Sequence, residues 1–445
     1  MTNDMQIAKN IIEKLHLHGN SAVIAGGAVR DILLKVEPKD IDIATSALPE
    51  QVEAIFKRTI PVGKQFGVII VREHGSEFEV ATFRQDSPEG DGRRPDSVTF
   101  SSMEEDAKRR DLSINGLFLD PVTGEIFDFV GGKKDLEDGR IRFIGDAQSR
   151  IDEDKLRMLR AVRFACRLGF TMDEDTKSVI RSNAHLIGQV SKERIKAELD
   201  KMLVCKKPSF AIEMLKEVGL LGHILPAVAM LWDCEQSIKW HSEGSVGIHT
   251  MMVLDATREK TDNVATLWSA LLHDVGKPAT STLNEQGNIS CHGHDQVGAE
   301  MADSIMRDMK SSTDERERVV ALVGDHMRAG MTGDMRKSTL RRFVAQPHFD
   351  ELLHLFQADC ESSHPTDPKR VDTKLDGVNF LKDFVSTVEE VRILPPCFIG
   401  GKDLIEMGFK PSPLFKTILE TIADMQLEGE INSVEEALEK VKELF

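Results

Sequence analysis

Short apolar runs with β-branched residues alternate with breakers over the first third of the chain. SAVIAGG (Ser21–Gly27), FGVIIVRE (Phe66–Glu73) and EFEVATF (Glu77–Phe83) predict strands, and PEQVEAIF (Pro49–Phe56) predicts a helix between them. Beyond about residue 150 the pattern changes. Apolar residues recur at i, i+3 and i+4, and strand-like alternation almost disappears. The expected fold class is α+β: a head with a small mixed sheet and helices, then an all-α body. The body divides again. A histidine-bearing segment opens at WHSEGSVGIHT (Trp240–Thr250), and the proline-rich ILPPCFIGG (Ile393–Gly401) precedes a last helical region ending in EEALEKVKELF. The expected parts are 1–145, 146–235, 236–370 and 371–445.

Within the first strand-to-helix turn, Gly26 and Gly27 let the backbone approach an anion, and Arg30 lies one helical turn on, within reach of the same charge. Alone, a Gly-Gly pair marks an ordinary turn equally well. Asp40-Ile41-Asp42 sharpens the picture. On a strand, residues i and i+2 share a side, so two carboxylates stand together while Ile41 and Ile43 face the core. Adjacent like charges are costly unless a cation neutralises them, and hard oxygen ligands suit Mg²⁺, which also binds phosphates. An acidic strand edge without a ligand is the plain alternative. Glu79, alternating with Phe78 and Val80, is a candidate third carboxylate from a neighbouring strand.

A second pattern sits on the helix after Asp152-Glu153-Asp154. At about 100° per residue, Arg157, Arg160, Arg163 and Arg167 fall within an arc of about 120°, opposite Met158, Ala161, Val162, Ala165 and Leu168. A solvated basic face with i,i+3 and i,i+4 ion pairs accounts for the stripe as well as a ligand site does. If Asp154 and Arg157 present one acceptor and one donor, they match the amino group and ring nitrogen of cytosine or adenine. Uracil and guanine offer the reverse order and leave buried groups unpaired.

The chain has 445 residues and a net charge of −17, which argues against non-specific nucleic-acid binding and leaves open a local basic face. Ser191–Lys207 (SKERIKAELDKMLVCKK) is such a place, for nucleic-acid phosphates or simply for solvent. Six cysteines without CxxC spacing, no apolar leader and no apolar run near the roughly 20 residues of a membrane span predict a cytoplasmic protein with no membrane partner. Tyrosine is absent beside 21 phenylalanines, and no physical reason for that is evident.

These stretches resemble, in order, the motifs of the class II tRNA nucleotidyltransferases, the CCA-adding enzymes and bacterial poly(A) polymerases. To the opening GGAVRDILLKVEPKDIDIAT are added a flexible loop (Gly90–Phe100), the Arg-Arg-Asp segment EEDAKRRDLSING (Glu104–Gly116), the head–neck connection (Asp120–Ala147) and the nucleotide-selecting helix (Asp152–Phe170). The resemblance implies a DNA polymerase beta-like nucleotidyltransferase head. It implies Asp40, Asp42 and Glu79 as catalytic carboxylates, with Asp40 and Asp42 holding Mg²⁺. Gly26, Gly27, Arg30, Arg110, Asp111, Asp154, Arg157, Arg160 and Arg163 would serve the nucleotide, CTP or ATP, and the 3′ end of tRNA would be the acceptor. Lys155 stands where the family often has proline, and Glu89 where it often has tyrosine. The loop's presence favours full CCA addition. Poly(A) or A-only addition is the near rival.

LLHDVGKP, with His249 before it and Asp359 after, resembles the HD phosphohydrolases. His249, His273, Asp274 and Asp359 are expected to hold a transition metal (Mn²⁺, Ni²⁺, Co²⁺ or Zn²⁺), and His294 and His326 are candidates for a second ion. A metal-dependent hydrolase whose head merely holds RNA is therefore a rival of another class. A non-catalytic RNA-binding protein is the third reading. The sequence leaves the oligomeric state open.

Overall fold

The computed structural model describes residues 3–86, 98–285, 288–366, 369–387 and 393–445. It divides into two compact units, Met1–Pro226 and Ala227–Phe445. No helix among the described residues is long and apolar enough to cross a membrane.

The first unit opens with α1 (Asn3–Leu17), β1 (Ala22–Ala25), α2 (Gly27–Leu33), β2 (Asp42–Thr45) and α3 (Pro49–Ile55). Then come β3 (Thr59–Gly63), β4 (Val68–Glu73), β5 (Ser76–Thr82), β6 (Arg84–Asp86), β7 (Val98–Phe100), α4 (Met103–Lys108), β8 (Leu117–Leu119) and β9 (Ile126–Asp128). Seven of the strands form one mixed sheet in the order β3-β4-β5-β2-β1-β8-β9, and β6 and β7 pair separately. The three strands and the helix expected from the apolar runs are all present. β3, β8 and β9 are additional short strands, two of them at the sheet's edges.

In α1, Ile7, Ala8, Ile11, Ile12 and Leu15 form one apolar stripe, buried against Ile24, Ile43, Ile69, Val71, Phe78 and Val80 of the sheet. Val23, Ala25, Ala44 and Phe118 form a second buried cluster with Phe83 and with Ala107 of α4. Because both sides of the inner strands are covered, β1 is buried at every position.

Helices α5 (Gly132–Glu137), α6 (Ala147–Glu153), α7 (Arg157–Leu168), α8 (Glu174–Asn183), α9 (Lys192–Leu203) and α10 (Pro208–Glu217) follow. α7 packs against α9 and α10. The body is not purely helical, since Arg140–Ile141 pairs with Thr171–Met172 and Thr282–Leu283 with Ile289–Ser290.

In the second unit the helices Val246–Lys260, Val264–Leu272, Thr313–Asp325 and Phe349–Ser362 pack together, and His294–Asp308 lies along Thr313–Asp325. Val264–Leu272 is apolar nearly all round and buried from Ala265 onward, the composition of a central helix. The last helices close over their own core of Ile399, Leu404, Ile418, Ile422, Ile431, Ala437 and Val441.

Candidate active site and metal centre

Sheet register builds the acidic side of the first site. Ala25 stands opposite Asp42 across β1 and β2, so the turn at Gly26 and Gly27 lies beside the start of β2. Ile43 stands opposite Val80 across the parallel pair β2 and β5, which brings Glu79 next to Asp42. Ile41 and Ile43 are buried while Asp40 and Asp42 are exposed, and Glu79 is exposed between buried Phe78 and Val80. The alternation is thus the expected one, although Asp40 sits in a bend before β2 and not on the strand itself. Crowding by protein, and then the charge of Glu79, pushes the Asp42 carboxyl up from its ordinary range; Arg110 opposes this and Asp40 adds to it. An oxygen set of this kind fits Mg²⁺.

A cavity of about 640 Å³ opens here, lined by Gly27, Arg30, Asp40, Asp42, Arg110, Asp111, Asp154, Arg157, Arg160 and Arg163 among others. Of the predicted residues in this unit, Gly26 and Glu79 are not among those lining it. Gly26 has φ +66°, and a Cβ there would stand 2.5 Å from Nη1 of Arg110. Arg30 is 2% exposed, donates to Asp31 and to Asn115 Oδ1 (2.6 Å), and lies over the Phe164 ring. Arg110 donates to Asp106 Oδ2 (3.1 Å) and to the Asn115 carbonyl (3.3 Å). Burial alone would raise the pKa of Asp111. The charge and hydrogen bond of Arg160, with donors from Asn115 and the Leu112 amide, outweigh it and bring the carboxyl down to about 2.

The arginine helix departs from expectation in one respect. Asp154 is not on α7: it ends α6 in an extended conformation (φ −152°, ψ 107°), and α7 starts afresh at Arg157. The two side chains reach the same cavity from either side of this break, but neither pairs with the other. Asp154 accepts from Arg194 of α9 at 2.7 Å and from the Leu156 amide at 3.0 Å. Arg157 is bonded to Glu153 and donates to the Arg109 carbonyl. Arg160 reaches Asp111 at 2.6 Å, and Arg163, 8% exposed, is ion-paired with Glu198 of α9 at 2.6 Å. Arg160 and Arg163 therefore do not belong to a solvated basic face, whereas Arg157 makes an i,i+4 pair and Arg167 is exposed. In Ser191–Lys207, Lys196 is likewise buried and paired with Asp200, while Lys201, Lys206 and Lys207 are exposed. The loop reading at Gly90–Phe100, with Glu89, lies outside the described residues for 87–97.

In the second unit His249 and Asp359, on two helices, meet His273 and Asp274, which directly follow the end of a third, Val264–Leu272. His249 Nε2 is 3.0 Å from Asp359 Oδ1 and 3.9 Å from Asp274 Oδ2, and His273 Nε2 is 3.2 Å from Asp274 Oδ2. The Nε2 atoms of His273, His294 and His326 are buried with no hydrogen-bond partner among the described residues. Buried orphan nitrogens next to a carboxylate are what a metal site leaves when only its protein atoms are counted. Burial opposes protonation of His249, yet hydrogen bonds with Asp359 and Glu243 raise it to about 9. Burial, then the neighbouring charge of His273, pushes His326 down to about 4. An adjacent cavity of about 560 Å³ is bounded in large part by the stretch 236–294.

Sequence reasoning missed four supporting residues. Asn115, in the Arg-Arg-Asp segment, ties Arg30 to Asp111. Arg194 holds Asp154. Glu243 backs His249 Nδ1 at 3.0 Å, and buried Lys277 lies 2.6 Å from Asp274 Oδ2. Glu243 and Lys277 stand inside the stretches HSEGSVGIHT and HDVGKP, so nearness to the histidines was the available signal.

Comparison with known proteins agrees with this architecture. Residues 22–142 match the Poly A polymerase head domain, 169–231 the probable RNA and SrmB-binding site of polymerase A, and 246–359 the HD domain. The CCA-adding enzyme of Bacillus pumilus is 47% identical over 269 residues, 60% of this chain and 62% of that one. That of Geobacillus thermodenitrificans is 46% identical over 230 residues, 52% of this chain and 56% of that one, so the chain spans less than two thirds of these relatives. That of Bacillus mycoides is 38% identical over 287 residues, 64% of this chain and 67% of its own length. The crystal structure of the Bacillus stearothermophilus CCA-adding enzyme in complex with CTP superposes with a TM-score of 0.71 at 28% identity, over 100% of this chain and 99% of that one. Sheet, cavity and sequence agree on one conclusion: the chain belongs to the family of the CCA-adding enzymes.

Proposed function

We propose that the chain adds CMP and AMP, taken from CTP and ATP, to the 3′ end of tRNA without a template. The observation that carries this reading is the meeting of Asp40, Asp42, Asp154 and Arg157 around one cavity, which sets a cation-hungry carboxylate group facing a donor–acceptor pair for a base. The tRNA 3′ oxygen attacks the α-phosphorus, and the bond to pyrophosphate breaks. When bound at Asp40 and Asp42, Mg²⁺ supplies activation of that hydroxyl and screening of the departing pyrophosphate. Glu79 holds negative charge beside Asp42. Arg30 and Arg110 face the nucleotide with the Gly26–Gly27 turn, and Asp111, steadied by Arg160, faces the sugar. Asp154 accepts from the base amino group while Arg157 donates to the ring nitrogen; Arg163 braces α7 against α9. Offering CTP and ATP separately to tRNA lacking its last three nucleotides tests this. Incorporation of CMP and then AMP supports it, and AMP incorporation alone leaves the poly(A) or A-adding reading.

A second activity is favoured by the orphaned nitrogens of His273, His294 and His326. We infer that His249, His273, Asp274 and Asp359 hold a transition metal and that this site hydrolyses a phosphate ester. Its wall includes Trp240, Ile289, Met331 and Phe356, which suits an ester with an apolar or aromatic part. Hydrolysis that survives Asp42→Asn, and is lost on chelation, separates it from nucleotide addition. The four-part division at 145, 235 and 370 follows the same functional lines, and six free cysteines accord with a cytoplasmic setting.

A further inference from the structure

We propose that Phe164 is a positioning residue for nucleotide binding: the negative π cloud of its ring gathers the guanidinium groups of Arg30, Arg160 and Arg163 at the cavity wall that receives the triphosphate. The proposal rests on the reading of the first unit's cavity as the nucleotide site.

Phe164 lies on α7, is 5% exposed, and borders the cavity together with all three arginines. Cζ of Arg163 stands 4.3 Å from the ring centroid, that of Arg30 5.0 Å and that of Arg160 5.7 Å. All three fall within the roughly 6 Å over which an aromatic quadrupole attracts a cation, and the attraction grows where water is excluded. Arg160 and Arg163 share the ring's own helix, whereas Arg30 reaches it from α2. The ring therefore joins the first strand-to-helix turn to the arginine helix.

The carboxylates alone do not keep these cations together. Arg30 donates to Asp31 Oδ1 at 2.8 and 2.6 Å, Arg160 to Asp111 Oδ2 at 2.6 Å, and Arg163 is paired with Glu198 Oε2 at 2.6 Å. Those partners sit on α2, on the segment after α4 and on α9, so they draw the three side chains toward three different elements. Like charges brought this close also repel one another. Burial holds Arg30 and Arg163 below the ordinary arginine range, and neighbouring cations, Arg167 for the first and Arg160 for the second, press the same way. The ring is the one group that meets all three, and its π electrons offset part of that cost. A leucine would fill much of the same space and supply no quadrupole. A guanidinium grips phosphate through a planar fork, and a fork that is not held must be ordered when the nucleotide arrives, at a cost in affinity.

The test places phenylalanine or a trifluorinated phenylalanine at position 164 of the full chain by amber suppression. Fluorination keeps the ring's shape and withdraws its π electrons, so packing is preserved while the attraction for cations falls. The Kd for CTP with Mg²⁺ is measured by equilibrium dialysis. The fluorinated chain should bind CTP about threefold to tenfold more weakly than the phenylalanine chain. Phe164→Leu should weaken binding at least as far, and Phe164→Tyr, which keeps the ring, should bind as the wild type does. This second pair decides the matter if the fluorinated chain does not fold. Equal affinity with and without fluorine, or a tyrosine variant as weak as the leucine variant, overturns the role of the ring and leaves the nucleotide site standing. A wild-type chain that binds no CTP overturns the proposed function and this inference with it.

Discussion

Arg160 donates from Nε to Asp111 Oδ2 at 2.6 Å, joining α7 to the segment after α4 across 49 residues of sequence. The bond fixes one wall of the cavity bounded by Asp42 and Asp154 and has a pH signature. The Asp111 carboxyl falls from an ordinary 3.8 to about 2 in the fold, so the pair stabilises fully above the ordinary value and loses that contribution as pH drops toward 2. Arg160→Ala should cost about 1–3 kcal/mol at pH 7. In urea titrations, the gap between wild type and variant should shrink as pH falls below the ordinary carboxylate range. A gap independent of pH would mean Arg160 acts through packing alone.

Gly26 occupies left-handed backbone, with Arg110 in the space a side chain would fill. Gly26→Ala should destabilise by about 1–2 kcal/mol from backbone strain. It should also displace Arg110 and raise the Kd for CTP. Equilibrium dialysis with CTP beside thermal unfolding checks both effects. An unchanged Kd removes Arg110 from the proposed nucleotide contacts.

The Asp154–Arg194 bond predicts that selectivity depends on two elements. Asp154→Ala removes the proposed acceptor for the base amino group, and preference for CTP over UTP should fall by about a hundredfold. Arg194→Ala leaves the acceptor but frees it, and a smaller fall of about threefold to tenfold is expected from losing one charge-assisted bond. Single-nucleotide kcat/KM ratios on the same tRNA rank the two variants. The reverse order would assign selection to Arg194.

Arg163 and Glu198 are a buried ion pair, with side chains 10% and 4% exposed. Glu198→Ala strands a buried guanidinium and should cost about 3–5 kcal/mol, whereas Arg163→Met with Glu198→Leu should recover most of the loss. Denaturant unfolding of the three variants decides. No recovery in the double variant would show that Arg163 is held for more than the pair.

Strand positions and the carboxylate alternation were legible because both depend on neighbours in sequence. Ile41 and Ile43 had to face a core, and that fixed Asp42 to the open side. The break at Asp154 was not legible: the expected helix ran over Asp152–Phe170, whereas Asp154 is extended and α7 starts at Arg157. Partners distant in sequence were also hidden. Asn115 meets Arg30 across 85 residues and Arg194 meets Asp154 across 40, and helical spacing carries no information about such pairs. The histidine cluster fell between these cases. The adjacent His273 and Asp274 announced a metal centre, while Glu243 and the orientation of the three imidazoles emerged only when the helices packed.

The central claim is that Asp42 and its neighbours drive CMP and AMP transfer. The most direct measurement incubates wild type and Asp42→Asn with Mg²⁺, CTP, ATP and tRNA lacking its last three nucleotides, and sequences the 3′ ends. Wild type should add C, C and A and stop, and the variant should be slower by about a thousandfold or more while folding normally. A variant that adds CCA at the wild-type rate, or a wild-type chain that adds no CMP, contradicts the account.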